Sequence, residues 1–156
     1  MNASPVILLA KAEVIYIVPQ LCDELVIPTG VVSEIQSGAV ADAGRNWLDE
    51  IGKRFVRTAP PIPAVLAEWH GGAGEAEVMA WALAQSGFTV VLDDLKARSK
   101  ARTLGLAVIG TVGIILRAKQ RGLISSAKPA LERLRGAGAH LSDSLINRAI
   151  ELANEV

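Results

Sequence analysis

The sequence predicts an α/β fold in which a central, mostly parallel sheet is covered by helices on both faces. Short apolar runs rich in β-branched residues alternate with longer amphipathic segments, as in parallel sheets with helical connections. The 156 residues have the length of one ordinary domain, and a hydrophobic fraction of 51% with 21% charged residues is typical of a globular chain. We therefore predict a single domain over residues 1–156.

Capping residues, glycines and prolines divide the first half of the chain into elements. Ser4 followed by Pro5 is a helix-start signal, because proline fits the first helical position. The apolar run 25–27 predicts a strand that ends at Pro28. The remaining predictions are helices over 30–37, 42–51 and 75–86, a strand over 55–58 and a helical turn over 65–69.

The second half repeats the alternation of strand and helix. The run 89–92 is apolar and β-branched, which predicts a buried strand. Thr111 and Ser142 are suitable caps for two later helices. The predicted elements after the first strand are a helix over 95–104, a strand over 107–109, and helices over 111–120, 129–135 and 142–154.

Two adjacent acids, Asp93 and Asp94, follow the strand 89–92 directly. Ligands of open α/β sheets bind just beyond the carboxyl ends of the strands. Neighbouring carboxylates repel each other, and a bound cation would relieve that repulsion. The pair therefore predicts a metal site, although either acid alone could simply cap the next helix.

Three glutamates are further candidates for the same site. Glu34 lies in the helix 30–37, at the border of its apolar face. Glu75 and Glu77 lie in the first turns of the helix that follows the glycine-rich loop 71–74. That loop is not a Walker phosphate loop, because no Gly-Lys-Ser/Thr follows it. Helical periodicity alone does not decide between Glu75 and Glu77.

Charge is unevenly distributed along a chain with no net charge. Residues 1–95 contain 5 Lys and Arg against 12 Asp and Glu, whereas residues 96–135 contain 10 against 1. A basic stretch beside an acidic body can mean bases that hold phosphate next to acids that hold cations. Charged faces of solvated helices would produce the same asymmetry.

Several classes of protein and site are unsupported by the sequence. No apolar run is long enough for a transmembrane helix, and Lys11 and Glu13 interrupt the only candidate for a signal peptide. The single cysteine, Cys22, fits a reducing cytoplasm and is expected to be a small buried hydrophobe. The two histidines are isolated, so a zinc site is not expected.

Five stretches in order carry a resemblance to a known family: residues 2–11 (NASPVILLAK), 27–35 (IPTGVVSEI), 74–82 (GEAEVMAWA), 92–106 and 108–124. Together they resemble the PIN-domain family, in particular its VapC-like prokaryotic members and a subfamily of predicted nucleases. The resemblance covers nearly the whole chain.

The resemblance implies a three-layer α/β/α PIN-like domain with a Mg²⁺ or Mn²⁺ site built from acids of separate elements. The implied ligands are Asn2, Glu34, Glu75 and Asp94, with Asp93 beside them, and the implied catalytic residues are Glu34, Glu75 and Asp94. Glu75 is preferred to Glu77 because the family's third acid lies three residues before the position that Val78 matches.

The resemblance further implies a cytoplasmic, metal-dependent endoribonuclease that hydrolyses RNA phosphodiester bonds. Such a protein would be the toxin of a toxin–antitoxin pair, with a protein antitoxin and a second copy of the chain as possible partners. No membrane partner is expected. The residues expected to contact the RNA backbone are Arg98, Arg102, Arg117, Lys119 and Arg121.

Two departures from the family pattern support an alternative. The family's first acid is often aspartate, where this chain has Asn2, and the family has a strand where only Met1 precedes that position. The alternative is a PIN-fold nucleic-acid-binding or regulatory module with impaired catalysis. A phosphoacceptor receiver domain is a weaker alternative, because its acidic pair would follow the first strand.

Overall fold

The computed structural model describes residues 1–38 and 42–154, in which helices and parallel strands alternate. The helices are α1 (Ala3–Lys11), α2 (Thr29–Gln36), α3 (Ala43–Glu50), α4 (Ala73–Ala84), α5 (Leu95–Thr103), α6 (Thr111–Gln120), α7 (Ala127–Gly136) and α8 (Asp143–Leu152). The strands are β1 (Ile27–Pro28), β2 (Val56–Arg57), β3 (Thr89–Val91) and β4 (Ala107–Ile109). Three 3-10 helices span Ile15–Gln20, Gly52–Phe55 and Ala64–Leu66.

The strands form two parallel pairs, β1 with β2 and β3 with β4. In the first pair Ile27 lies opposite Val56, and in the second Val90 lies opposite Val108. Helices follow β1, β3 and β4 directly and bring the chain back for the next strand. The predicted parallel, three-layer α/β/α architecture is therefore confirmed.

Met1 and Asn2 lie in the gap between the two strand pairs. The amino group of Met1 donates a hydrogen bond to the carbonyl of Val26 at 2.8 Å, and the N–H of Asn2 donates to the carbonyl of Val91 at 3.1 Å. Burial lowers the pKa of the Met1 amino group to about 5, so the group is neutral near pH 7 and still has an N–H to donate. These two residues connect β1 and β3 into one layer.

One continuous hydrophobic core runs through the described part of the chain. Helices α2 and α4 contact each other, as do α6, α7 and α8, and α1 contacts members of both groups. The fully buried side chains come from strands and helices of both halves. Examples are Leu9, Ile27, Ile35, Met79, Leu92, Ile115 and Leu131.

The structure corrects several predicted boundaries. Helix α1 begins at Ala3 with Asn2 as its N-cap residue, not at Pro5, because the hydrogen bond to Val91 holds Asn2 extended until the helix starts. Pro28 lies within β1 and does not end the strand before it. Cys22 is exposed and not buried. Among the described residues, no helix is both long and apolar enough to cross a membrane.

Candidate metal and nucleic-acid site

Helices α2 and α4 each supply a glutamate that caps the other helix. Glu34 in α2 accepts a hydrogen bond from the N–H of Gly74 at 2.8 Å, and Glu77 in α4 accepts one from the N–H of Gly30 at 2.7 Å. Residue 34 thus lies beside residue 74, and residue 30 beside residue 77, so the two helices run antiparallel. Each carboxylate satisfies an amide that the first turn of a helix leaves without a partner.

Both capped positions are glycines because the carboxylates occupy the space that a side chain would need. A Cβ built on Gly74 would lie 2.9 Å from Oε2 of Glu34, and one built on Gly30 would lie 2.6 Å from Oε1 of Glu77. The glycine-rich loop thus has a structural explanation. It lets Glu34 approach the start of α4 closely.

Glu75 lies in the first turn of α4, on the border of a cleft. Its Oε2 accepts a hydrogen bond from the N–H of Gly72 at 3.1 Å. Desolvation raises the pKa of Glu75, and the nearby charges of Asp94 and Glu34 raise it further, against the opposing effect of the Gly72 hydrogen bond. The three carboxylates therefore form one electrostatic group.

The adjacent acids Asp93 and Asp94 have different partners. Asp94 is the N-cap of α5, and its Oδ1 accepts the N–H of Ala97 at 2.9 Å. Asp93 uses Oδ1 to accept the N–H of Thr111 at 2.7 Å, and its Oδ2 accepts the Thr111 hydroxyl. Asp93 therefore caps α6 with both oxygens, whereas Asp94 retains an oxygen that makes no hydrogen bond within the described chain.

Asn2 lies beside the carboxyl end of β3, where its N–H bonds Val91. The residue is 6% exposed, and its Oδ1 is buried without a hydrogen-bond partner. A buried oxygen without a hydrogen-bond partner destabilises the fold unless a ligand or a water molecule binds to it.

The side-chain atoms at this edge are oxygens, the atom type that hard divalent cations prefer. Glu34, Glu75 and Asp94 each hold one oxygen on a backbone amide and keep the other available. No three His, Cys, Asp or Glu side chains of the described residues converge at metal-ligand spacing. Mg²⁺ needs only one or two carboxylates because it keeps several waters. The Oδ1 of Asn2, which has no hydrogen-bond partner, is a further candidate ligand.

An open cleft lies at the carboxyl edge of the sheet, by which we mean the side where β1, β3 and β4 end. Glu75 and Asp94 line it together with residues of the loop before α4 and the start of α5. The lining residues are Glu68, Trp69, His70, Gly71, Gly72, Glu75, Asp94 and Lys96.

The predicted RNA-contacting residues do not lie together. Arg98, in the first half of α5, is near the edge, since a Cβ on Gly110 would lie 2.9 Å from its Nη1. Arg117 lines a different cleft, which Met1 and Gly87 also line and which runs along β3 from the amino edge of the sheet, where the strands begin. Lys119 and Arg121 follow it at the far end of α6, about 15 Å from Thr111 by helix rise. Arg102 is exposed on the last turn of α5.

Acids from separate elements therefore lie at the carboxyl edge of an α/β/α sheet. The whole of residues 1–155 matches a family model, DUF3368, described as a PIN domain. The chain belongs to this PIN-domain family, which indicates nucleic acid as its class of ligand. No curated protein and no solved structure is significantly similar to the chain.

Sequence reasoning missed the role of Glu77 and the cleft residues Trp69, His70 and Lys96. Glu77 is a cap across two helices, and periodicity carries no signal of a contact between residues 30 and 77. Lys96 follows Asp94 by two residues, so its position at the start of a helix could have suggested it. Trp69 and His70 precede the glycine-rich loop directly, which was the available signal for them.

Proposed function

We propose that this protein is a VapC-like, metal-dependent endoribonuclease that uses Mg²⁺ or Mn²⁺. The observation that carries the proposal is the set of Glu34, Glu75 and Asp94, each anchored by one oxygen on a helix N-terminus with the other oxygen available. Membership of the PIN-domain family supports the same reading. Asn2 is the fourth proposed ligand. Asp93 is left out of the proposed ligand set because Thr111 occupies both its oxygens.

The residues of the chain would hold the cation and manage a proton. A bound Mg²⁺ or Mn²⁺ lowers the pKa of a coordinated water and offsets negative charge on the phosphate. Asp94 and Glu34 would hold their positions through their anchored oxygens. Glu75 would hold the cation through a bound water with its free oxygen, and its raised pKa suits a carboxylate that accepts a proton from that water and returns it to solvent.

The test is cleavage of a mixed structured RNA pool with Mn²⁺, with Mg²⁺ and with EDTA. Asp94→Asn keeps an oxygen that can cap α5 but removes the charge, so we expect at least about a 100-fold loss of cleavage. Asp23→Asn, in the cleft at the amino edge, is the matched control and should cleave like wild type. Metal-independent cleavage, or full activity in Asp94→Asn, would exclude the proposed site.

A module with impaired catalysis is the second candidate, and Asn2 is the observation that favours it. An amide oxygen can bind a cation, but it brings no negative charge. Asn2→Asp should therefore strengthen Mn²⁺ binding, measured by calorimetry. An inactive wild type that binds RNA and regains cleavage as Asn2→Asp would establish this second function, whereas an active wild type would rule it out.

The finer assignments rest on the family resemblance. We propose a cytoplasmic toxin with a protein antitoxin that covers the cleft, and a homodimer as the working assembly. Leu95, at the start of α5, is 78% exposed and could contact another protein surface. Analytical ultracentrifugation of wild type beside Leu95→Ser tests the dimer, since a dimer through this surface should dissociate in the variant.

A further inference from the structure

We propose that Glu77 is a positioning residue, which fixes Glu34 for cation binding through a pair of hydrogen bonds between helices α2 and α4. We call this pair the reciprocal cap. It consists of the bond from the N–H of Gly30 to Oε2 of Glu77 at 2.7 Å and the bond from the N–H of Gly74 to Oε1 of Glu34 at 2.8 Å. The proposal rests on the proposed function and deepens it, because it names a residue outside the ligand set on which metal affinity depends.

Neither helix can cap its first turn with the side chain of its own N-cap residue. That residue is Pro28 in α2 and Gly72 in α4, and neither carries a side-chain acceptor. The first amides of a helix need acceptors from elsewhere, and a carboxylate there also meets the positive end of the helix dipole. The second residue of each helix therefore takes its acceptor from the other helix.

The two hydrogen bonds lie about one helical turn apart along both helices. Gly30 and Glu34 are separated by four positions in α2, and Gly74 and Glu77 by three positions in α4. One such bond would leave α2 free to pivot about it. Two bonds about 5.4 Å apart also fix the direction of α2 and its position along α4. Loss of Glu77 would therefore leave the bond made by Glu34 as a single pivot.

Apolar packing holds α2 to the core without fixing its rotation. Among its eight residues, all within the described range 1–38, the buried ones are Val31 and Ile35. These two side chains lie four positions apart on one stripe of the helix, and they allow a small rotation about that stripe. A helix of about two turns also has little stability of its own in water. The position of Glu34, which borders the stripe, therefore depends on the polar contacts of α2.

A rotation of α2 would reach the proposed metal site through Glu34. One oxygen of Glu34 is held by Gly74, and the other is the proposed ligand. Glu34 and Asp94 both interact electrostatically with Glu75, so a displaced Glu34 changes the surroundings of the whole set. Loss of a group that orients a metal ligand typically costs about 10–100-fold in metal affinity or activity. We expect an effect of that size from Glu77, which itself would touch neither the cation nor RNA.

Amide hydrogen exchange measured by NMR, without metal or RNA, tests the coupling between the two bonds. In Glu77→Ala the amide of Gly30 loses its acceptor and should exchange faster. If Glu77 positions Glu34, exchange at Gly74 should also become about tenfold faster, although its own acceptor is still present. Ser142→Ala, which removes the acceptor of the Leu145 N–H at the start of α8, is the control for lost capping elsewhere. It should leave exchange at Gly74 unchanged.

Two conservative variants separate positioning from metal binding. Glu77→Gln keeps the length and an acceptor oxygen without the charge, whereas Glu77→Asp keeps the charge but is one methylene shorter and should lose the bond to Gly30. By calorimetry, we expect Glu77→Gln to bind Mn²⁺ within about threefold of wild type and Glu77→Asp to bind it about tenfold more weakly. In RNA cleavage, kcat should fall in Glu77→Asp while KM stays unchanged.

The outcomes distinguish this proposal from the nuclease function. Unchanged exchange at Gly74 in a folded Glu77→Ala would overturn the positioning role. The opposite order of the conservative variants, with Glu77→Asp near wild type and Glu77→Gln weak, would make Glu77 a metal ligand and overturn it too. A wild type that binds no Mn²⁺ and cleaves no RNA would overturn the nuclease function, whereas exchange at Gly74 would still decide whether Glu77 positions Glu34.

Discussion

The two edges of the sheet differ in the charges they collect. At the carboxyl edge, backbone N–H groups at the starts of helices donate to the carboxylates of Asp93, Asp94, Glu34 and Glu75. Toward the amino edge, Arg121 donates to the carbonyl of Leu21 at 3.1 Å. The carboxyl edge thus gathers acids that accept helix N–H groups, whereas the amino edge carries both signs, with Asp23 and Arg117 in its cleft.

The difference follows from the polarity of a parallel α/β unit. Each helix begins where a strand ends, so helix N-termini with their partial positive charge gather at the carboxyl edge. Helix C-termini gather at the other edge, where cations are favourable. Arg133 shows this, because its Nε donates to the carbonyl of Ala12 after α1 at 3.1 Å. Part of the basic stretch therefore stabilises the fold. A charge count alone would assign those basic residues to RNA binding.

Substitution of the two adjacent aspartates should separate folding from activity most strongly. Asp93→Ala removes both acceptors of Thr111 and should lower the free energy of unfolding by about 1–2 kcal/mol, with metal-dependent cleavage retained. Asp94→Asn should unfold near the wild-type midpoint and lose cleavage by about 100-fold or more. Urea denaturation and RNA cleavage measure the two effects. Loss of cleavage in Asp93→Ala, with cleavage retained in Asp94→Asn, would instead make Asp93 the metal ligand.

Adding a methyl group to a glycine should have opposite effects at two sites. Gly74→Ala places a Cβ 2.9 Å from Glu34, so it should cost about 1–3 kcal/mol of stability and reduce cleavage. Gly136→Ala, in α7, meets nothing within 4 Å and should gain about 0.5–1 kcal/mol. Thermal unfolding compares them. A stabilising Gly74→Ala would show that Glu34 does not need its present position.

Loss of the amino-edge bases should affect RNA little. Arg121→Gln removes the hydrogen bond to Leu21 and should cost at most about 1 kcal/mol of stability. Arg117→Gln removes a charge from the amino-edge cleft. Neither should change RNA affinity or its salt dependence by anisotropy. A clear loss of affinity in these variants would support the RNA-backbone role predicted for them from sequence.

The smallest expected effect is on the pH dependence of stability. Because the pKa of Glu75 is raised in the folded state, the folded chain keeps a proton that the unfolded chain has released. Stability should therefore fall as pH rises through the ordinary glutamate range to the raised value, and Glu75→Gln should lack this decrease. Urea midpoints from about pH 4 to about pH 7 measure it, with Glu24→Gln as control. An unchanged pH profile in Glu75→Gln would contradict a pKa of Glu75 raised by desolvation and by the charges of Asp94 and Glu34.

Local sequence patterns determined the order and type of most elements. Strand β4 has the predicted bounds and helix α6 ends at the predicted residue, although Gly110 and not Thr111 is the N-cap of α6. Asp42 and Ser142 cap α3 and α8, because propensity and capping act over a few residues. The motifs also determined the family, now shown by the match over residues 1–155, and they selected acids that lie at one edge.

Tertiary structure alone decided how those acids are used. Asp93 turns to Thr111, eighteen positions along the chain, and Glu34 and Glu77 cap helices forty or more residues away. Nothing local separates Asp93 from Asp94, because both follow the same strand. The partner of each carboxylate depends on which helix N-terminus lies within hydrogen-bond reach, and only the packed fold sets that distance.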